Sequence, residues 1–307
     1  MPKRQILIIK TGFSEFLDAG ISTTVSLGDV LICTCLLPLY KNDHVVWLTD
    51  IKAKGLLANN PFISELICLS SATINQLRVR AFDVVVNLEK DFGLCLLANE
   101  ITAKKKYGFY FDDKTRGINT RKRSTQYLLS GQENQRDINK NAFELLYEAV
   151  GANWKGQGVC LGVKPKAKPR YDLGFNYAVG SKWPTKAWPK THWDTLEKLL
   201  IRHYSITWQQ GQKNLRKYIE WINNCRVLVT NDSLGQAIAQ GLGKKVITLY
   251  GPTNPRRMQH VPGVNIIAST LACPHMPCFM PVCQHDKFCM DYISPERVAN
   301  IILEKAR

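Results

Sequence analysis

Residues 225–255 read CRVLVTNDSLGQAIAQGLGKKVITLYGPTNP and decide the fold of the C-terminal half. The apolar runs at 227–229 and 246–250 are typical of buried strands. Between them lie a polar turn at 230–235 and a short helical pattern that ends at Gly241 and Gly243. The stretch predicts a βαβ unit whose two turns share the carboxyl edge of a parallel sheet, where open α/β sheets bind ligands.

The start of the predicted helix suits an anionic ligand. A helix N-terminus offers N–H groups without helical partners and a partial positive charge, and both favour phosphate. Asp232 or Ser233 is expected to be the N-cap residue. An ordinary βαβ unit with a capped helix explains the same pattern, so a phosphate site is a hypothesis that the rest of the chain must support.

Composition limits the class of protein. A chain of 307 residues with 45% hydrophobic and 21% charged residues is long enough for two domains with their own cores. Its apolar runs are shorter than the roughly 20 residues that span a bilayer. The N-terminus lacks the pattern of a signal peptide, so a cytoplasmic location is expected.

The net charge of +16 favours anionic partners. A membrane surface, a phosphorylated glycolipid and nucleic acid all meet that description. No basic motif with interleaved aromatic residues indicates specific nucleic-acid binding. The charge therefore favours an anionic glycolipid or a membrane surface as partner, with peripheral contact at a membrane as a further expectation.

The N-terminal half alternates between strand and helix patterns. Strands are predicted at 6–9, 44–49, 66–69, 82–88 and 107–111, and helices at 28–37, 51–58, 91–101 and 142–150. Residues 112–140 are polar and predict a long loop. This alternation favours a parallel, doubly wound sheet. Asp29 falls in the first turn of a predicted helix, where the helix dipole alone would explain a carboxylate.

Several short motifs follow one another in a fixed order. They are G-D-V at 28–30, F-D-V-V-V-N-L at 82–88, K-A-W-P at 186–189, N-D-S-x-G at 231–235, G-P-T at 251–253 and C-M-x-x-I-S-P-E at 289–296. Together they resemble glycosyltransferase family 9, the heptosyltransferase family of bacterial lipopolysaccharide synthesis. The resemblance implies the α/β GT-B fold, in which two Rossmann-like, doubly wound domains face a cleft. We expect an acceptor-binding domain at 1–155 and a nucleotide-sugar-binding domain at 156–307.

The same resemblance implies a reaction. An inverting glycosyltransferase would move a heptose or related sugar from a nucleoside-diphosphate donor, with ADP-heptose expected, to a lipopolysaccharide-core, other glycan or protein acceptor. No cofactor would be required for the chemistry. Asp29 would be the general base that deprotonates the acceptor hydroxyl. Glu15 and Asp18, in the long segment between strand and motif, are alternatives for that role.

The donor site is implied by the C-terminal motifs. Lys186 would offset the charge that builds on the departing diphosphate, and Lys182 is an alternative. The other donor-binding positions implied are Asn231, Asp232, Ser233, Leu234, Gly235, Gly251 and Thr253. Two departures from the family pattern leave the donor open. The usual histidine five residues after the Asp of N-D-S is Ala237 here, and the stretch at 209–214 lacks the usual acid.

Cysteines near the C-terminus form a separate group. Six of the ten cysteines lie scattered through the chain, mostly in apolar runs, as reduced buried thiols do. The other four have the spacing C-x4-C-x4-C-x5-C, with two histidines among them: Cys273, His275, Cys278, Cys283, His285 and Cys289. Four soft ligands fit a structural zinc or iron site, and two pairs of thiols without metal fit equally well.

The resemblance also bears on assembly. In some protein-modifying relatives a similar cysteine motif binds iron and supports an oligomer, which implies a homo-oligomer here. A location at the cytoplasmic face of the inner membrane is expected for a lipopolysaccharide enzyme. The alternative is a non-catalytic binding or assembly protein that keeps the GT-B fold and the cysteine loop at 273–289.

Overall fold

The computed structural model describes residues 3–13, 24–122, 125, 139–209, 214–278 and 280–305. The chain divides into two compact units. The first contains the described residues up to Thr125 together with Ala142–Val163, and the second contains residues 139–141 and 164–305. None of the described helices is both long and apolar enough to cross a membrane.

The first unit is built on a six-stranded sheet in the order β3-β2-β1-β4-β5-β6. The first five strands run parallel, and β6 pairs antiparallel with β5. The strands are β1 (Gln5–Ile9), β2 (His44–Thr49), β3 (Glu65–Cys68), β4 (Ala81–Asn87), β5 (Thr102–Asp112) and β6 (Gly117–Thr120). The helices are α1 (Leu27–Cys33), α2 (Lys54–Leu57), α3 (Ser71–Arg78), α4 (Phe92–Glu100) and α5 (Ala142–Ala149), and a 3-10 helix spans Thr34–Tyr40.

The strand predictions of the first unit are confirmed, with shifted ends. One other expectation needs correction, and one helix was not predicted. Part of the predicted loop at 112–140 is strand, because β6 folds back on the long β5 as a hairpin. Helix α3 was missed since only Leu77 of its residues is buried, and its start is fixed by a reciprocal capping box between Ser70 and Thr73.

The second unit carries a five-stranded parallel sheet in the order β11-β10-β9-β7-β8. Its strands are β7 (Tyr171–Asn176), β8 (Ile206–Trp208), β9 (Cys225–Asn231), β10 (Lys245–Tyr250) and β11 (Val264–Ala268). Its helices are α6 (Lys190–Leu200), α7 (Leu215–Asn223), α8 (Leu234–Gly241) and α9 (Pro295–Lys305). Three 3-10 turns lie at Pro184–Lys186, Pro255–Met258 and Cys289–Tyr292.

The βαβ unit predicted from residues 225–255 is confirmed as β9, α8 and β10. Strand β9 lies between β7 and β10, and its last residue Asn231 is in register with Leu249. Asn176, at the end of β7, is in register with Thr230. The carboxyl ends of three neighbouring strands therefore meet at the centre of this edge.

The apolar core of the second unit supports this edge. Strands β7, β9 and β10 bury their apolar side chains against α6 and α9, with Phe175 and Trp193 at a ring-centroid distance of 5.3 Å. Both rings are fully buried. Burial of apolar area contributes about 25 cal/mol per Å² to the free energy of unfolding. Two buried rings of this size therefore contribute several kcal/mol. The polar carboxyl edge of this sheet is thus supported by a closely packed apolar core.

Candidate functional site

A lysine, an aspartate and a threonine from three separate segments meet in the second unit. The Lys186 ammonium lies 2.9 Å from the Asp232 carboxylate. The Thr253 hydroxyl donates to the same carboxylate oxygen at 2.8 Å. The Lys186 and Asp232 side chains keep 13% and 22% of their surfaces exposed, so solvent reaches the pair.

Neighbouring cations favour the ionised form of Asp232. Burial by itself raises the pKa of the Asp232 carboxyl, but the charges of Lys186 and Arg257 and the hydrogen bonds from Lys186 and Thr253 bring that pKa below its ordinary value. Arg257 is thus a second cation close to the site, and motif comparison missed it. Its signal was the pair of arginines directly after G-P-T-N-P.

Asn231 joins the segment of Lys186 to the end of β9. Its side-chain oxygen accepts from the Trp188 backbone N–H at 3.0 Å, and its amide donates to the Tyr177 carbonyl at 2.8 Å. The Asn231 side chain is fully buried. Its amide is occupied within the fold, so Asn231 positions the neighbouring segments.

The start of α8 lies beside this cluster. Ser233 occupies the N-cap position, but within the described part of the chain its hydroxyl caps no first-turn N–H. That hydroxyl instead accepts from the Asn176 amide at 3.0 Å. Leu234 and Gly235 form the first helical residues. The first-turn N–H groups of α8 thus receive no cap from the Ser233 side chain, and a helix N-terminus of this kind favours an anion.

Gly235 is required by close approach. A Cβ at this position would lie 2.6 Å from the Tyr218 hydroxyl and would also clash with the Asn176 amide. Tyr218 donates to the Asn176 side-chain oxygen at 2.7 Å. Sequence reasoning missed both Asn176 and Tyr218, since neither lies in a motif.

Ala237 is buried one turn into α8 and brings no polar group to the site. Its neighbour Gln236 accepts from the Tyr250 hydroxyl at 3.1 Å. The replacement of the usual histidine therefore leaves a methyl group at this position.

The four clustered cysteines lie near one another without forming a ligand set. Burial raises the pKa of Cys289, and the nearby thiols of Cys278, Cys283 and Cys273 raise it further, to about 12. The rings of His275 and His285 stack at 4.6 Å. Across the described ranges, however, no three His, Cys, Asp or Glu side chains converge as metal ligands would. Thiols are suitable ligands for a soft metal, but their arrangement in this structure is not that of a metal site.

In the first unit, Asp29 lies in the first turn of α1 and is partly exposed. Lys10, just after β1, is buried nearby. Burial lowers the pKa of its ammonium, but the charge of Glu89, with contributions from Cys33 and Asp29, raises that pKa above its ordinary value. Asp29 therefore lies within electrostatic reach of the Lys10 ammonium.

Glu89 is a buried carboxylate that sequence reasoning missed. It lies 3.4 Å from the Lys10 ammonium and is fully buried. It accepts from the Thr11 N–H at 2.6 Å, from the Thr11 hydroxyl at 3.0 Å and from the Gly12 N–H. The Gly12 carbonyl in turn accepts from the N–H of Ser26, which precedes α1. Glu89 therefore ties the turn after β1 to the helix that carries Asp29.

The residues considered as alternatives to Lys186 and Asp29 are placed as follows. Lys182 lies in the exposed turn before the 3-10 helix Pro184–Lys186. Lys186 is the lysine that reaches Asp232. Glu15 and Asp18 lie outside the described residues.

Comparison with known proteins supports the resemblance to family 9. Residues 209–289 match the family model described as glycosyltransferase family 9 (heptosyltransferase). Lipooligosaccharide heptosyltransferase 2 of Haemophilus influenzae is 28% identical over 24% of this chain and 29% of its own length. The chain thus matches less than a third of that relative.

Solved structures match over nearly the whole chain. A family 9 glycosyltransferase from Veillonella parvula aligns with a TM-score of 0.68 and 18% identity, covering 99% of this chain and 97% of that one. The E. coli heptosyltransferase WaaC with ADP gives 0.65 and 14%, covering 98% and 99%. The dodecameric iron-containing heptosyltransferase TibC with ADP-D-β-D-heptose gives 0.59 and 12%, covering 98% and 76%. The predicted GT-B fold class is confirmed: the sheet of the second unit is parallel, and that of the first is parallel except for β6.

The buried Lys10–Glu89 pair generates a stability prediction. Glu89→Gln should lower the free energy of unfolding by about 3–5 kcal/mol, because it leaves a buried ammonium without its counter-charge. Glu100→Gln is the matched control, since its pair with Arg78 is about half exposed on both sides and should cost about 1 kcal/mol or less. Urea unfolding followed by circular dichroism measures both, and equal losses would contradict the assigned role.

Proposed function

We propose that this protein is an inverting glycosyltransferase that uses a nucleoside-diphosphate sugar, with ADP-heptose as donor. The observation that carries the proposal is the cluster of Lys186, Asp232 and Thr253 beside the positive end of α8. Two cations and a helix N-terminus suit a diphosphate. The similar WaaC and TibC structures contain ADP and ADP-D-β-D-heptose, respectively.

The reaction assigns a role to each unit. Asp29 takes the proton of the acceptor hydroxyl while that oxygen attacks the anomeric carbon of the donor. The bond from that carbon to the diphosphate breaks, and its electron pair leaves with the nucleoside diphosphate. Lys186 and the start of α8 offset the negative charge that builds on the leaving group. Lys10 is a buried cation within electrostatic reach of this proposed base.

The acceptor is proposed as an anionic glycan, of the lipopolysaccharide core or of another glycan or protein. The support is the net charge of +16, which attracts phosphorylated sugars and an anionic membrane surface alike. A place at the cytoplasmic face of the inner membrane follows from such an acceptor. A homo-oligomer is proposed by analogy with dodecameric TibC.

Ala237 favours a second candidate, a non-catalytic protein that retains the fold. A buried methyl group stands where the family pattern supplies an imidazole, and the diphosphate loses one hydrogen-bond donor. Titration of the purified protein with ADP, UDP, GDP and CDP distinguishes the candidates. Selective binding of ADP supports the transferase with an ADP-linked donor, and no binding by any of the four favours the non-catalytic protein.

Lys186→Ala should weaken nucleoside-diphosphate binding about tenfold to a hundredfold, since it removes a charge-assisted hydrogen bond. Isothermal titration calorimetry gives the dissociation constant. Lys190→Ala is the control, because Lys190 is an exposed partner of Asp194 on α6 and should bind as the unaltered protein does. A loss of affinity in Lys182→Ala, with none in Lys186→Ala, would transfer the role to Lys182.

Asp29→Asn should lower kcat for ADP-heptose turnover by about 100- to 10,000-fold, because the amide cannot accept the proton. The dissociation constant for ADP should not change. Asp113→Asn, at an exposed position in the same unit, provides the control for kcat. If Asp29→Asn keeps full turnover, another group is the base.

A structural zinc or iron ion at Cys273, Cys278, Cys283 and Cys289 is proposed from the soft donor set and from the iron in TibC. The thiols would have to move together to bind it. Elemental analysis of protein purified without chelator should then find about one metal per chain, lost in Cys278→Ser. Metal-free protein with full nucleotide binding would show that the cysteines act as thiols only.

A further inference from the structure

The cysteine-rich segment, residues 273–278 and 280–289, contacts the turn that carries Lys186. The Thr185 hydroxyl donates to the Met280 carbonyl at 2.5 Å. Thr185 lies directly before Lys186 in the 3-10 turn and is only 8% exposed. A partly buried hydrogen bond therefore links the middle of the cysteine-rich segment to the neighbour of the proposed diphosphate lysine.

The end of the same segment contacts the second diphosphate turn. Gly251, the first residue of G-P-T, is buried so closely against it that a Cβ would lie 2.7 Å from the Cys289 sulfur and would also clash with Met290. Cys289 is held in turn, since its carbonyl accepts from the Ser269 hydroxyl at 2.6 Å. The turn that places Thr253 beside Asp232 thus rests on this end of the segment.

Lys186 is fixed from both sides along the chain. On one side Thr185 is tied to Met280. On the other, the Trp188 N–H donates to Asn231 and the Trp188 indole donates to the Ile293 carbonyl at 2.9 Å. Of these anchors, the Thr185 hydroxyl is the one that depends on the cysteine-rich segment.

We propose that the cysteine-rich segment is the rear support of the diphosphate site and that Thr185 is the positioning residue through which it holds Lys186. Thr185 acts through Lys186 and needs no contact with the donor. The inference rests on the proposed function for its binding readout, and the link between the segment and the Lys186 turn has a readout of its own.

The test compares Thr185→Val, which is nearly isosteric and lacks the hydroxyl, with Thr185→Ser, which keeps it. Thr195→Val is the matched control, because Thr195 is on the same unit and its hydroxyl donates to the carbonyl of Thr191 in an exposed turn of α6. Two quantities are measured: the dissociation constant for ADP by calorimetry, and amide hydrogen exchange across residues 183–189.

Thr185→Val should weaken ADP binding about three- to tenfold, the effect of losing one neutral hydrogen bond. Exchange at the amides of Lys186 and Ala187 should rise, since these N–H groups are bonded within the loosened turn. Thr185→Ser should restore both values, and Thr195→Val should change neither.

The outcomes separate this inference from the proposed function. If the unaltered protein binds no nucleoside diphosphate but exchange rises in Thr185→Val and recovers in Thr185→Ser, the donor proposal fails and the support stands. If exchange and ADP affinity in Thr185→Val equal those of the unaltered protein, the positioning role of Thr185 is overturned. A fall in affinity that Thr185→Ser does not reverse would overturn it as well.

Discussion

The ion pair between Lys186 and Asp232 holds together the polar edge of the second unit. It joins the turn before α6 to the turn after β9, and Thr253 adds the turn after β10. The Lys186 side chain keeps only 13% of its surface exposed, and the Asp232 carboxylate supplies its counter-charge. Arg257 leaves the cluster with more positive than negative charge. The pair therefore keeps the Lys186 ammonium beside the N-terminus of α8.

A second lysine–carboxylate pair lies at the same edge of the other sheet and serves a different purpose. Lys10 and Glu89 are almost wholly buried, and Glu89 is surrounded by donors of the turn after β1. Such a pair has no face left for a ligand. It fixes the chain ahead of the helix that carries Asp29. Burial thus distinguishes this structural pair from the Lys186–Asp232 pair, which solvent reaches.

The sequence predicted those parts of the site that lie in local patterns. The βαβ unit, its helix N-terminus, Lys186 and Asp232 are all found where the motifs place them. Asn176, Tyr218 and Glu89 were missed because their roles arise from contacts between residues distant in the chain. The hairpin of β5 and β6 was missed for a related reason, since its polar residues resemble a loop until β5 provides a partner. No local pattern could have shown that Asn231 uses its amide to join two segments.

The close contact of Gly251 with the cysteine-rich segment has a pharmacological consequence. An inhibitor that competes with the donor at the proposed site must replace a highly charged diphosphate. Cys278 and Cys283 are partly exposed thiols in the segment that supports this site. Both thiols lie within electrostatic reach of Cys289, whose sulfur already fills the space beside Gly251. An electrophile that alkylates Cys278 or Cys283 would therefore add bulk close to that contact. Such a compound would act on the segment that supports the proposed donor site, and it would not need to carry a phosphate mimic.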